Sequence, residues 1–338
     1  MTWGTRIGGF VAALVVALVV AGCTALPPDP PILPPAPSPT SGAVPNFGHV
    51  VVLVLENTDY AETFGPGGAT RAPYLNSLAS TYSLGTQYSG VDHASLTNYV
   101  ALASGQTPRT STKIDCPNYD CVYDGSVQHI GDQVEASGRT WKAYMDGMTE
   151  PCQHGPEGSF DPYFFYIPPF NTYATRHNPW MYFRNMVGNQ PRCDAHDVPY
   201  TALGADLAAH QLPNYAFISP DLCNDGHENQ CGLTAADAWS SVEVPKILAS
   251  PEFQSDGVLF VTFDEAEGTD DSGCCGNSAG GRIGVVVVSP KYGKAGGFQS
   301  AVPENHYSLL RTIEDAWSLP LLGHAQDASI SPMTEYFK

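Results

Sequence analysis

The sequence predicts an α/β fold with a doubly wound, mostly parallel sheet flanked by helices. Four short apolar runs rich in valine have the length of strands, at residues 49–55, 215–218, 258–263 and 283–288. Their near-continuous apolar character indicates burial on both faces, which is typical of parallel sheets. Helical patterns lie between the runs, and alternation of strand and helix favours this fold class.

Two of the predicted helices have clear boundaries. Residues 72–82 carry Pro73 in the first turn and place their leucines on one side. Residues 306–317 repeat this spacing, and the pattern ends before Pro320, which cannot continue a helix.

The N-terminus predicts export. Arg6 precedes an apolar run at residues 7–21, and small residues lead to Cys23. This pattern is typical of a secretory signal at residues 1–22 and is too short to span a membrane comfortably. The small-residue ending resembles a bacterial lipobox, in which Cys23 becomes the lipidated first residue. An ordinary signal peptide with an incidental cysteine is the alternative, and both interpretations export the protein.

A proline-rich segment follows Cys23. Residues 23–45 are therefore predicted to form a lipid-anchored tether, because prolines among small polar residues make a stiff, extended spacer. Residues 46–338 show no second linker and no repeat, so we expect one domain. We predict a cell-envelope lipoprotein that contacts the membrane through this anchor, with release from the cell as a further outcome.

The cysteines agree with export. Eight remain after Cys23, and an even number in an exported chain indicates disulfides. Two pairs are close enough to close single loops: Cys116 with Cys121, and Cys223 with Cys231. Zinc ligation is disfavoured because no C-x-x-C pair occurs. Residues 115–199 are rich in aromatic residues, glycine, proline and cysteine, and predict a loop-rich, disulfide-bearing insertion around a site.

The charge balance argues against a nucleic-acid partner. Acidic residues number 34 and basic residues 15, for a net charge of −19. Such a surface repels phosphate backbones, and the sequence has no basic run that would form a binding stripe.

Carboxylate and amide side chains follow three of the four predicted strands. They are Glu56 and Asn57, Asp221, and Asp264 and Glu265. Ligands of open parallel sheets bind beyond the carboxyl ends of the strands. Crowded carboxylates repel one another, and a hard divalent cation relieves the repulsion. The sequence therefore predicts a metal site at this edge.

Ser95 is the candidate nucleophile. It precedes an apolar stretch, residues 99–103, that predicts a helix ended by Gly105. A serine there is also an ordinary helix N-cap. The same position binds anions, because free backbone N–H groups and the helix dipole point towards it. Asn98, one turn later, is placed to donate to a phosphoryl oxygen.

Several motifs occur in an order that resembles a known family. They are Glu56-Asn57, His93-Ala94-Ser95-Leu96-Thr97-Asn98-Tyr99, Asn224-Asp225-Gly226-His227, Asp237-Ala238-Trp239, Phe263-Asp264-Glu265 and His306-Tyr307-Ser308-Leu309-Leu310-Arg311-Thr312-Ile313-Glu314. Together they resemble the bacterial phosphoesterases that include secreted acid phosphatases and phospholipases C, within the alkaline phosphatase superfamily. The chain looks most similar to the short mycobacterial secreted acid phosphatases that act on phosphoinositides.

The resemblance implies a role for each motif residue. A divalent cation of unidentified element would be bound by Glu56, Asn57, Ser95, Asp264 and Glu265. Ser95 would attack phosphorus and become transiently phosphorylated. The other half of the site would contact phosphate or protonate the leaving oxygen through His93, His177, His227 and His306. Either Asp221 or Asp225 would lie near a second metal position.

The implied function is an exported, metal-dependent phosphomonoesterase of the acid phosphatase type, with a phosphoinositide or other phospholipid as substrate. A phospholipase C-type phosphodiesterase shares this chemistry and remains the alternative. A non-catalytic surface lipoprotein is a third reading, disfavoured by the intact Ser95 and carboxylates. A histidine-rich half-site also favours activity at mildly acid pH, where imidazole is cationic.

Overall fold

The computed structural model describes residues 29–36, 44–164, 173–227, 230–268, 270–276 and 278–338. The predicted signal peptide, residues 1–22, and Cys23 lie outside these ranges. In the described part of the chain, no helix has the length and apolar character needed to cross a membrane.

An eight-stranded mixed sheet forms the centre of the domain. Ten strands occur in the described residues: β1 His49–Leu55, β2 Ser83–Gly85, β3 Tyr88–Ser89, β4 Trp141–Met145, β5 Asp197–Pro199, β6 Tyr215–Ser219, β7 Gly257–Phe263, β8 Val285–Val288, β9 Phe298–Ser300 and β10 Glu304–Asn305. The large sheet has the order β5-β4-β6-β1-β7-β8-β2-β9, and β10 pairs with β3 in a small second sheet. The doubly wound, mostly parallel sheet predicted from the sequence is confirmed.

Strand β1 occupies the middle of this sheet. It pairs in parallel with β6 on one side and with β7 on the other. All but the first of its residues are buried, which explains its unbroken apolar sequence. The carboxyl ends of the three strands consequently lie side by side, and this edge carries the site.

Strand β8 runs against the others. It pairs antiparallel with β7 and with β2, although its apolar run suggested a parallel strand. All four of its valines are buried because β8 lies inside the sheet. Apolar character reports burial on both faces, and this burial is the same for either strand direction.

Helices flank the sheet. In the described residues they are α1 Tyr60–Thr63, α2 Gly68–Arg71, α3 Pro73–Thr81, α4 Ser95–Ser104, α5 Ile130–Ala136, α6 Arg184–Val187, α7 Gln190–His196, α8 Thr201–Ala208, α9 Gly232–Leu248, α10 Pro251–Asp256 and α11 His306–Trp317. Helix α4 is entirely buried and ends at Gly105, whose φ of 64° is the left-handed conformation that favours glycine at a helix end.

The segment predicted as an insertion also builds part of the sheet. Strands β4 and β5 lie within residues 115–199 and extend the sheet at one edge. Two disulfides stabilise the loops of this segment, Cys116–Cys121 and Cys152–Cys193. A third disulfide joins Cys223 to Cys231, so both predicted short loops are confirmed. The adjacent Cys274 and Cys275 are free thiols.

Part of the predicted tether lies on the domain. The Asp29 carboxylate pairs with Arg109 at 2.7 Å. Ala36 forms an antiparallel bridge with Leu321. Residues 29–36 therefore contact the domain surface instead of extending away from it. Residues 37–43 lie outside the described ranges, and the domain boundary at residue 46 stays a prediction.

Candidate active site

Adjacent strands deliver acidic residues to one buried point. Glu56 follows β1 directly, and Asp264 and Glu265 follow β7. The backbone N–H of Asp264 donates to Leu55 at 2.8 Å, which continues the pairing of the two strands. Asn57 turns the chain with a φ of 47°, a conformation that asparagine tolerates better than most residues. Its N–H donates to Asp264 Oδ1 at 3.0 Å.

Ser95 faces this group from the start of helix α4. Its hydroxyl donates to Glu56 Oε2 at 2.9 Å. Tyr99, one turn later, donates to Glu56 Oε1 at 2.7 Å. The N-cap position belongs to Ala94, and Ser95 is the first residue of the helix. The hydroxyl of Ser95 is therefore directed at the carboxylates instead of capping the helix.

The turn before Ser95 has a strained backbone. Ala94 has a φ of 97° and a ψ of 117°, a region that residues with a Cβ rarely adopt. Such conformations cost about 1–3 kcal/mol and persist where the surroundings hold them. Glu265 Oε2 accepts from the Ala94 N–H at 2.9 Å. This turn places Ser95 against Glu56.

Asn98 holds the same turn. Its Oδ1 accepts from the N–H groups of Val91 and Asp92 at 2.7 and 3.3 Å. Its Nδ2 donates to the carbonyls of Asp92 and Ala94 at 2.7 and 3.3 Å. The side chain is fully buried. With both ends of the carboxamide bonded to backbone, Asn98 positions the turn, which differs from the predicted donation to a phosphoryl oxygen.

Burial raises the pKa values of the site carboxylates. Glu56, Asp225 and Asp264 are fully buried, and Glu265 is nearly so. Desolvation is the main cause of the raised pKa in all four. The nearby charges of Asp264 and Asp225 raise the pKa of Glu56 further. A cluster of this kind holds its negative charge only with a compensating cation.

The donor set fits a divalent cation. Asp264 Oδ2 is buried and accepts no hydrogen bond from the described residues. Carboxylates, the Asn57 amide and the Ser95 hydroxyl are oxygen ligands, which hard cations prefer. Glu265 Oε2 pairs with His93 and accepts a hydrogen bond from the Ala94 N–H, so this oxygen already has two partners. Among the predicted ligands, Ser95 thus contacts Glu56, the Asn57 N–H contacts Asp264, and Glu265 lies at the margin.

Histidines form a second side of the site around Glu56. His177 Nδ1 lies 3.1 Å from Asp225 Oδ2, and His177 Nε2 lies 3.4 Å from Glu56 Oε1. The His177 ring stacks on Tyr99, with 5.3 Å between centroids and 3° between planes. One potential ligand atom each from Glu56, His177 and His227 lies within 4.8 Å of the others. These three residues have the donor types of a transition-metal site.

Burial and a nearby guanidinium lower the pKa values of these two histidines. Burial is the main cause that lowers the pKa of His177, and it lowers the pKa of His227 to about 4. The guanidinium of Arg176 lowers both further, and its Nη2 lies 3.2 Å from His227 Nε2. The prediction of cationic imidazoles at mildly acid pH therefore does not hold for this pair. Neutral imidazole is the form that binds metals.

His93 differs from the other histidines. Its Nδ1 lies 3.0 Å from Glu265 Oε2, and this contact raises the pKa of His93 to about 9. The neighbouring Asp92 pairs with Lys113 at 2.5 Å. His93 is thus a cation at the entrance of the site.

His306 supports the site from behind. Its Nε2 lies 2.6 Å from the Asp264 carbonyl, and its Nδ1 lies 3.0 Å from the Tyr88 hydroxyl. Burial lowers the pKa of His306 to about 4. Because both ring nitrogens have partners, this geometry favours positioning of Asp264 over protonation of a leaving group, the role implied by the resemblance.

The two aspartates that the sequence left open, Asp221 and Asp225, differ in their contacts with the site. Asp225 reaches the site through His177, and its carbonyl accepts from the Glu56 N–H at 2.9 Å. Asp221 instead accepts from the N–H groups of Cys223 and Asn224 in its own turn.

Sequence reasoning missed Tyr99 and Arg176 as site residues. Tyr99 stands inside a motif that was recognised and follows Ser95 by one helical turn, so its position on the same face was a usable signal. Arg176 precedes His177, and no spacing rule points to its contact with His227.

A cleft of about 600 Å³ lies beside the candidate site. Its lining includes Asn57, His93, His227 and Glu265. The volume is within the range of pockets that hold small organic ligands and exceeds the need of a phosphate ion alone. The arrangement offers a serine hydroxyl, a cation site and room for the alcohol part of an ester.

Known proteins share the sequence pattern and the fold. A sequence model of the Phosphoesterase family matches residues 68–320, well over half of the chain. A phosphatidylinositol-3-phosphatase of Mycobacterium tuberculosis is 27% identical over 87% of this chain and 84% of its own length. A probable acid phosphatase of Kluyveromyces lactis is 29% identical over 84% of this chain, which spans only 62% of that relative.

Solved structures agree on the fold. A Vibrio parahaemolyticus protein of the alkaline phosphatase superfamily has a TM-score of 0.53 at 12% identity, covering 85% of this chain and 69% of its own. A Bacteroides thetaiotaomicron protein from a study of glycosaminoglycan metabolism has a TM-score of 0.58 at 12% identity, covering 85% and 80%. The chain therefore belongs to the Phosphoesterase family and is a phosphoric ester hydrolase with an alkaline-phosphatase-like fold.

Proposed function

We propose that this protein is an exported, metal-dependent phosphomonoesterase of the acid phosphatase type, with Ser95 as its nucleophile. The observation that carries the proposal is the bond from the Ser95 hydroxyl to Glu56, inside a buried carboxylate cluster at the start of a helix. A serine with a purely structural role would not require a buried carboxylate cluster around its hydroxyl.

Transfer of the phosphoryl group begins at Ser95. Its Oγ forms a bond to phosphorus while the bond from phosphorus to the alcohol oxygen breaks, and the alcohol leaves with that electron pair and takes up a proton. The proton of Ser95 has an acceptor, Glu56 Oε2, at 2.9 Å. Water then attacks the phosphoserine, which releases phosphate and restores the hydroxyl. The dipole of α4 favours the negative charge that develops beside Ser95. The N–H groups of Leu96 and Thr97 at this helix end donate to Asp115 Oδ1 and to the Ala94 carbonyl, so they are already bonded.

A divalent cation, when bound, stabilises charge on the phosphoryl oxygens and favours ionisation of the serine hydroxyl. Glu56, Asn57, Ser95, Asp264 and Glu265 are the proposed ligands. Glu56 also belongs to the group with His177 and His227, so a second cation is proposed there, with Asp225 orienting the His177 ring.

The remaining histidines have different tasks in this proposal. His93, held as a cation by Glu265, lines the cleft and faces the bound phosphate or the leaving oxygen. His306 positions Asp264 from behind. Asn98 fixes the turn that presents Ser95.

We propose phosphoinositides as the substrate class. The support is the similarity to the mycobacterial phosphatidylinositol-3-phosphatase, over most of both chains, together with a cleft large enough for a sugar-sized alcohol.

We also propose that residues 1–22 direct export and that Cys23 carries the lipid anchor. Three disulfides in the described residues support an oxidising compartment. The anchor would hold the enzyme at a membrane surface, where lipid substrates are concentrated.

One assay panel tests the proposed activity. Purified protein is given an aryl phosphate, a phosphatidylinositol phosphate and phosphatidylcholine, each with and without chelator, and the Ser95→Ala variant is the matched control. We expect turnover of the two monoesters, loss with chelator and loss in the variant. Turnover of phosphatidylcholine alone would replace the proposal with a phospholipase C-type phosphodiesterase.

A further inference from the structure

The cleft has one permanent cation at its rim. Among the described residues that line it, Arg71 is the only lysine or arginine, whereas Glu62, Glu265 and Glu267 contribute carboxylates. The chain as a whole carries a net charge of −19, which repels anionic substrates at long range. The presence of a guanidinium among these carboxylates therefore requires an explanation.

A contribution to the stability of the fold does not explain the presence of Arg71 at this position. Its Nη1 lies 3.2 Å from Glu62 Oε1, and its Nη2 donates to the Glu62 carbonyl at 3.2 Å. The side chains of Arg71 and Glu62 are 47% and 40% exposed. Ion pairs this exposed contribute little to stability. A ligand anion can replace the Glu62 carboxylate at little cost, and the guanidinium fork suits phosphate oxygens.

Arg71 is also separate from the reacting group. It ends helix α2, and its ion pair and its hydrogen bond are both with Glu62, which lies outside the cluster of buried carboxylates. A cation at the rim of a cleft of about 600 Å³ is placed to meet the far end of a substrate whose phosphoryl group lies at Ser95.

We propose that Arg71 is a specificity-determining residue that binds a second phosphate on the alcohol part of the substrate. This inference rests on the proposed function and adds that the preferred esters carry at least two phosphate groups. A lipid headgroup, whose phosphodiester is the second phosphate, and a soluble bisphosphate supply the same chemistry.

The test compares an inositol bisphosphate with the matching inositol monophosphate. For Arg71→Ala we expect the KM of the bisphosphate to rise about tenfold, as for the loss of one charged hydrogen bond, with kcat unchanged. The KM of the monophosphate should stay the same, and Arg71→Lys should retain part of the preference. The matched control, Glu62→Gln, removes the competing carboxylate and should lower the KM of the bisphosphate.

Equal effects of Arg71→Ala on both compounds, or none on either, would overturn the inference.

Vesicles of phosphatidylcholine containing phosphatidylinositol phosphate identify the source of the second phosphate. A rise in KM with vesicles assigns it to a lipid headgroup, and a rise with the soluble bisphosphate alone assigns it to a soluble ester.

A binding measurement keeps this test independent of turnover. Calorimetric titration of Ser95→Ala with the two inositol phosphates, with and without Arg71→Ala, should show the same selective loss. If wild type hydrolyses no monoester, the proposed function is wrong, while the titration still decides whether Arg71 recognises the second phosphate. Selective loss supports that recognition, and an unselective result contradicts it.

Discussion

The Ser95 hydroxyl donates to Glu56 Oε2 at 2.9 Å, and this contact joins the first residue of α4 to the first residue after β1. The two residues are 39 positions apart in the chain. Their contact brings the candidate nucleophile into the group of carboxylates that would hold a cation.

Removal of the Asn98 side chain should disturb both stability and activity. Asn98→Ala leaves the buried N–H of Val91 and the carbonyl of Asp92 without their Asn98 partner. We expect a loss of about 3 kcal/mol in the free energy of unfolding, since each unsatisfied buried group costs about 1–3 kcal/mol. Urea denaturation measures this loss, and kcat should fall because Ser95 is displaced. Thr97→Val, a neighbouring buried change, should cost less; an equal cost would remove the special role of Asn98.

Metal removal should abolish activity reversibly. A chelator followed by dialysis should inactivate wild type, and divalent cations should restore the rate. Asp264→Asn should lower kcat by at least about a hundredfold, because it removes a charged ligand, and cation should rescue it poorly. Asp237→Asn is the control, since Asp237 binds the N–H groups of Tyr74 and Leu75 at the start of α3. Full activity in protein shown to be metal-free by elemental analysis would contradict the metal assignment.

The same Asp264→Asn variant should change the pH dependence of stability in metal-free protein. Burial raises the pKa of Asp264 in the folded state, so the charged carboxylate opposes folding. The stability of wild type relative to the variant should fall as pH rises from about 4, the unfolded pKa, through the raised folded value. Thermal melts across this range measure the difference. A constant difference between the two proteins would show that Asp264 is not desolvated as described.

The His93–Glu265 pair should act in the opposite direction. The folded pKa of His93 is about 9, above its unfolded value of about 6.5. Its contribution to stability is therefore complete below about pH 6.5 and is lost as pH rises through about 9. His93→Gln should destabilise metal-free protein in melts at about pH 6 and have little effect at about pH 10. Equal losses by His93→Gln at both pH values would exclude the charged pair.

The lipid anchor can be tested through Cys23. Wild type should partition with membranes, whereas Cys23→Ser should be secreted or keep an uncleaved signal. Cell fractionation and mass spectrometry of the N-terminus measure both properties. A wild-type protein found in the medium with an N-terminus beyond Cys23 would contradict the anchor and leave the phosphatase assignment untouched.

The sequence predicted the elements whose burial pattern is local. The bounds of β1 and α11 agree with the predicted residues 49–55 and 306–317, because strand length, helical spacing and Pro320 are all visible along the chain. It also predicted that Glu56 and Asp264 meet, since both follow parallel strands. The sequence did not predict the direction of β8, because a buried apolar run has the same composition in a parallel and in an antiparallel strand.

Details of the site depend on contacts that no local pattern encodes. The choice of Asp225 over Asp221 follows from the contact of Asp225 with His177, 48 residues away in sequence. The bonds of His306 to Tyr88 and Asp264 likewise cross distant segments. The protonation of the histidines depends on their burial, which the sequence does not show. Burial lowers the pKa values of His227 and His306, whereas the pKa of free imidazole suggested that they would be cations at mildly acid pH.

The central claim is that Ser95 carries the phosphoryl group during turnover. The most direct measurement is rapid acid quenching of enzyme with saturating aryl phosphate, followed by proteolysis and mass spectrometry of the peptide that contains Ser95. We expect this peptide to gain the mass of one phosphoryl group, with fragmentation placing the group on Ser95, and we expect no such gain in Ser95→Ala. A phosphoryl group found on a histidine, with Ser95 unmodified during active turnover, would contradict this claim.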